Sequence, residues 1–158
     1  MLKFALAIKV IFVLFNFALP APEIWAEPVP YFLDKQMSNY VAPLSARGAG
    51  HRGLDVLVRN EGIRAPREGF AAFNDLVVDR RVVTIRSGDY RVSFEPVWSD
   101  LAVGQAIEKG ELVGYLCEGE AGYKEHCEGC MHLSVRVDRG YLNPLLFYES
   151  LMPSKIVS

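Results

Sequence analysis

From residue 54 onward, short apolar runs are cut by Gly, Asp and Asn. Residues 54–58, Leu-Asp-Val-Leu-Val, read as a strand, and Asn60-Glu61-Gly62 is a turn signal. Residues 69–73, 76–78, 81–86 and 90–94 follow as strand-like runs at short intervals. Ser87-Gly88-Asp89 lies between two β-branched or aromatic runs and reads as a hairpin turn. Residues 112–117 and 131–137 are the last strong strands. Helical character is confined to residues 100–107, which Gly104 interrupts, and residues 145–151, which follow Pro144. Short strands at regular spacing predict an all-β or β-dominated fold, a single compact antiparallel β-sheet core domain.

Ahead of this pattern the chain changes twice. Residues 1–26 carry Lys3 and Lys9 around a short apolar stretch, the arrangement of a secretory signal peptide, with Ala26 as the expected last residue before the cut. The apolar run is shorter than the roughly 20 residues of a membrane span, so the mature protein is expected to have no transmembrane segment. Residues 27–47 hold Pro28, Pro30 and Pro43 and read as an N-terminal arm or linker that lies across the domain through Tyr31, Phe32 and Tyr40. Residues 149–158 form a C-terminal tail.

Of 17 basic and 19 acidic residues, the leader holds Lys3, Lys9 and Glu23, leaving 15 and 18. A mildly acidic mature chain has no general electrostatic attraction to nucleic acid, so no nucleic-acid partner is expected. Arg64, Arg67, Arg80, Arg81, Arg86 and Arg91 gather locally, which reads as a solvated strand face. The three cysteines are Cys117, Cys127 and Cys130. In an exported chain two are expected to pair, and Cys127-Glu128-Gly129-Cys130 would close a small ring. Cys117 is an alternative partner for either. A metal reading of the run from His126 through Cys127 and Cys130 to His132 is also open.

The candidate chemistry lies in residues 48–55, Gly-Ala-Gly-His-Arg-Gly-Leu-Asp, and residues 131–135, Met-His-Leu-Ser-Val. His51 and Asp55 are four apart, an even spacing that puts both on one face of extended chain. His132 and Ser134 repeat that parity some 80 residues later. If the two strands are neighbours, all four line one groove. An imidazole and a carboxylate converging on one point form half of a zinc site.

These residues resemble the LytM/lysostaphin-type zinc metallopeptidases, which cut peptide bonds in bacterial peptidoglycan. That family carries a His-x-Gly-x-Asp motif first and a His-x-His strand last. Residues 63–73, the glycine-punctuated run 101–114 and Gly140-Tyr141-Leu142-Asn143-Pro144 match its intervening and closing segments in order. The resemblance covers residues 48–148 and implies a LytM-like metallopeptidase domain there, with the β-sheet core of that family. It implies that His51 and Asp55 bind zinc and that His132 holds the catalytic position beside the metal-bound water. The third ligand falls on Ser134, and neutral serine is not among the usual zinc ligands. A further family histidine falls on Pro96. His126, on the adjacent loop, is the candidate replacement ligand.

The expected function is therefore a secreted, cell-wall-associated domain that binds peptidoglycan peptide or regulates a wall hydrolase. Zinc is expected to be weakly bound or absent, and hydrolysis weak or lost. The alternative is an active zinc metalloendopeptidase with a substitute third ligand, cutting cross-bridge peptides. A structural envelope module contacting its partner through the N-terminal arm is a third reading.

Overall fold

A computed structural model of the chain describes residues 23–45, 48–117 and 127–148. The expected leader up to residue 22, the tail 149–158 and His126 lie outside the described residues. In chain order the strands are β1 (Gln36–Ser38), β2 (Leu54–Leu57), β3 (Ile63–Arg64), β4 (Gly69–Val77), β5 (Arg80–Ser87) and β6 (Tyr90–Glu95). They continue with β7 (Val97–Trp98), β8 (Ala106–Ile107), β9 (Leu112–Leu116), β10 (Cys130–Val137) and β11 (Gly140–Leu142). Two short 3-10 turns, Leu33–Lys35 and Pro144–Phe147, are the helical pieces among the described residues. The β-dominated expectation is met.

The main sheet runs β1-β2-β10-β6-β5-β4-β8, with β11 also paired to β10. A second sheet runs β3-β9-β7. Every strand pair is antiparallel. The period-2 alternation read from the sequence explains the layering. Val83 and Ile85 of β5, Val92 and Phe94 of β6, and Met131, Leu133 and Val135 of β10 are all buried. They face one core with Ile63, Val97 and Val113 of the small sheet. Each such side chain contributes roughly 1.5–3 kcal/mol relative to exposure. The alternate positions, His132, Ser134 and Arg136 on β10 among them, form the outer face of the main sheet, where they are half-buried.

Three expectations need correction. Residues 69–73 and 76–78 are not two strands: β4 is continuous, with a bulge between Ala71 and Phe73 against β5. A bulge absorbs one extra residue without ending the ladder, which a period-2 pattern does not anticipate. Residues 100–107 contain no helix. Gly104 takes φ 88°, and its amide donates to the Ala71 carbonyl at 2.8 Å. The Asn74 amide caps the same loop by donating to the carbonyls of Ser99 and Leu101. In place of a helix from residue 145, Pro144–Phe147 makes a single 3-10 turn, with the Asn143 side chain accepting from the Leu145 amide.

Residues 23–45 are packed into the domain. Val29 and Phe32 are fully buried, and β1 pairs with β2. The leader boundary expected at Ala26 falls within this packed segment. Trp25 is 4% exposed, its ring stacked on Phe147 at 4.1 Å and edge-on to Tyr90 at 5.3 Å. Its amide donates to the Phe147 carbonyl and that of Ala26 to the Pro66 carbonyl.

Candidate metal site and groove

β10 brings the two motifs together. It pairs with β2 so that His132 lies directly opposite Asp55. His51 reaches the same point from just before β2, held by a two-way backbone bridge to Val41. Gly53 permits the approach. A Cβ there would overlap the Leu133 carbonyl and stand 2.7 Å from His132 Nε2.

Asp55 is 3% exposed. Its Oδ1 lies 2.8 Å from His132 Nδ1 and 3.2 Å from His51 Nε2. The two imidazole rings meet at 4.8 Å between centroids, inclined by 64°. Burial pushes the Asp55 carboxyl up, but the hydrogen bond from His132 and the charges of the two histidines outweigh it. A hydrogen bond from Ser38 adds to them, and the group is held below its ordinary value.

His51 Nδ1 sits 2.7 Å from the Asn39 carbonyl, which can only accept, so this nitrogen carries a proton. The other ring nitrogen, Nε2, faces the Asp55 carboxylate, an acceptor. A second proton on His51 or a cation satisfies that pair. Fixing one imidazole nitrogen on a carbonyl so that the other is aimed inward is also how metal-bound histidines are oriented. One donor atom from each of His51, Asp55 and His132 lies within 4.8 Å of the others, and imidazole with carboxylate is a donor set that zinc accepts. These residues fit the metal that the resemblance implies. His132, which the resemblance puts beside the metal's water, is part of this same converging group.

Ser134 follows two residues along the outer face, paired with Ser93 of β6. Pro96 lies between β6 and β7, where its carbonyl accepts from the Cys117 amide at 3.3 Å. The sulfurs of Cys127 and Cys130 lie at disulfide-bonding distance, with Cα atoms 5.4 Å apart, at the start of β10. Two contacts were not legible in the sequence. Ser38 and the Asn39 carbonyl, both contributed by the N-terminal segment, hold Asp55 and His51. No motif marks them, because they act through position alone.

A groove of about 450 Å³ continues from Glu95 and Ser134 along the outer face. Thr84 and Ser93 lie on its floor, their hydroxyls 2.8 Å apart, and Phe73 and Val77 form part of its wall.

No family model matches the chain. An uncharacterised protein of Mycobacterium tuberculosis is 32% identical over 85 residues, which is 52% of this chain and 33% of that protein. A protein of Mycobacterium bovis matches to the same extent. The chain thus spans about a third of the length of these curated relatives. Among solved structures, Csd3 of Helicobacter pylori aligns over 82% of this chain and 36% of its own, with TM-score 0.62 and 20% identity. A putative M23 peptidase of Pseudomonas aeruginosa aligns over 85% and 54%, with TM-score 0.60 and 20% identity. A chain of the SpoIIQ–SpoIIIAH pore-forming complex aligns over 82% and 93%, with TM-score 0.64 and 16% identity. With the sheet order, the motif strands side by side and these likenesses together, the protein has the LytM-type fold of the M23 peptidases.

Proposed function

We propose that this chain is an exported LytM-type domain that works at the bacterial cell wall by binding peptidoglycan peptide or regulating a wall hydrolase, with hydrolysis weak or lost. The observation that carries this reading is Ser134. The resemblance puts the third ligand at this residue, which lies on the same outer face as His132 and lines the groove. The likeness to a chain of the SpoIIQ–SpoIIIAH complex adds support for a protein partner as one form of this role. Zinc, where bound, would supply a polarised water and a Lewis acid for a carbonyl. The chain's own part is to hold the ion through His51 and Asp55 and to orient both rings through Asn39 and Asp55.

The test has two arms. Purified protein is analysed for metal, and its binding to and release of fragments from insoluble peptidoglycan are followed. The expected result is binding with substoichiometric zinc and little release. Full zinc occupancy with rapid release of fragments would overturn it.

A second reading, an active zinc endopeptidase with a substitute third ligand, is favoured by one observation. A ring nitrogen of His132 joins the donor atoms of His51 and Asp55 within 4.8 Å, which makes three protein donors without Ser134. His126, the replacement named from sequence, lies outside the described residues. Zinc that is stoichiometric in the wild type and lost in His132→Ala would select this reading, and zinc lost in His126→Ala would select the other substitute.

A further inference from the structure

The outer face of the main sheet carries three cross-strand rows. Glu95 and His132 are opposite each other, with Asp55 beyond. Thr84, Ser93 and Ser134 form the next row. Arg86, Arg91 and Arg136 form the third, Arg91 being the direct partner of both others. Like charges directly opposite on neighbouring strands are destabilising. Here three stand in line, and among the described residues no carboxylate pairs with any of them. Arg80, a few residues away, shows the contrast: its guanidinium meets Asp79 at 3.0 Å and Glu95 at 3.2 Å. Arg136 is further steadied by the ring of Tyr141, its cross-strand neighbour, 6.0 Å from the guanidinium carbon.

Arg91 and Arg136 line the groove that begins beside His132. Arg136 is four positions along the strand from His132, a span of roughly 13 Å in extended chain. A ligand lying along β10 from the His–Asp–His cluster would cross the hydroxyl row and end on the arginines. Guanidinium groups bind carboxylates through paired, charge-assisted hydrogen bonds. We propose that the arginine row is a carboxylate-recognition subsite and that the groove takes an extended peptide carrying an anionic group about 13 Å from His132. This rests on the peptide-binding reading above and specifies the ligand's charge and its direction along β10. An arginine row that meets no carboxylate among the described residues, despite its mutual repulsion, is what a surface awaiting an anionic partner looks like.

The test uses the wall pentapeptide Ala-γ-D-Glu-Lys-D-Ala-D-Ala, as the free acid and with its carboxyl groups amidated, and measures binding to the full chain by calorimetry. The acid is expected to bind about tenfold tighter than the amide, the size of one charge-assisted hydrogen bond. Arg91→Gln and Arg136→Gln should each remove most of that difference by lowering acid binding toward that of the amide, while Arg136→Lys retains part of it. Because Arg91 faces two other arginines, Arg91→Gln should melt no lower than wild type. A lower melting temperature would show the row to be structural and overturn the inference, as would equal binding of acid and amide. Insoluble peptidoglycan separates the two claims. If wild type and both variants bind it alike, the arginine subsite falls and the wall-binding role stands; if wild type does not bind it, both fall.

Discussion

At the scale of single residues, the site depends on what is missing as much as on what is present. Gly53 must lack a side chain, because any Cβ meets the Leu133 carbonyl on the partner strand. Gly53→Ala should cost about 2–3 kcal/mol and separate His132 from Asp55, read as a lower denaturation midpoint together with lost metal affinity. Ser134 lacks the imidazole that would close a family-like donor set. Ser134→His should raise zinc affinity at least about tenfold, measured by competition with a chelating dye, and His51→Ala in the same background should abolish the gain. Activity need not follow, because Pro96 still stands where the family has another histidine. Asp55 adds a pH dependence. Its carboxyl titrates below its ordinary value, so its contribution is full above the unfolded value and is lost as pH falls through the lowered folded one. The melting temperature should drop below about pH 4, and Asp55→Asn should flatten that limb. An identical acid limb in the variant would refute the role given to Asp55.

At the scale of elements, β10 is the centre of the design. Its inward residues Met131, Leu133 and Val135 anchor the core, and its outward residues carry the site, the hydroxyl row and the arginine row. The same alternation fixes both faces, since a one-residue slip would exchange them. The β4–β5 hairpin shows a local conflict. Val78, 90% exposed at its tip, adopts φ 62°, a left-handed conformation that a β-branched residue tolerates poorly. Val78→Asn should therefore stabilise the fold by about 1 kcal/mol, visible as a higher chemical-denaturation midpoint. An unchanged or lower midpoint would mean that the tip gains more from the valine than the backbone loses.

At the scale of the whole molecule, the N-terminal segment is part of the domain. Phe32 and Trp25 cover the aromatic cluster of Tyr90, Phe147 and Tyr148, and Ser38 and Asn39 reach the site itself. Trp25→Ala should cost about 3–5 kcal/mol, as for other large buried aromatics. A chain starting at residue 27 should melt lower than one starting at residue 23. If the leader is removed, N-terminal sequencing should place the cut before Trp25. A mature protein starting at residue 27 with undiminished stability would show that the ring contributes nothing.

The sequence by itself determined the strand class and the Ser87–Asp89 hairpin turn, and its resemblance to a family singled out His51, Asp55, His132 and Ser134 as candidates. The first two follow from local rules, a period of two and turn chemistry at Gly88. Only the tertiary structure decided that β10 lies between β2 and β6, which sets Asp55 against His132 and brings Arg136 into line with Arg91 and Arg86. Only the structure gave Trp25 and Ser38 their roles, because Trp25 fell within the expected leader and Ser38 in an arm that shows no period to reveal what it packs against. Strand partnership is a long-range choice made by the burial of the shared core face, and nothing in the local pattern of one strand names its neighbour.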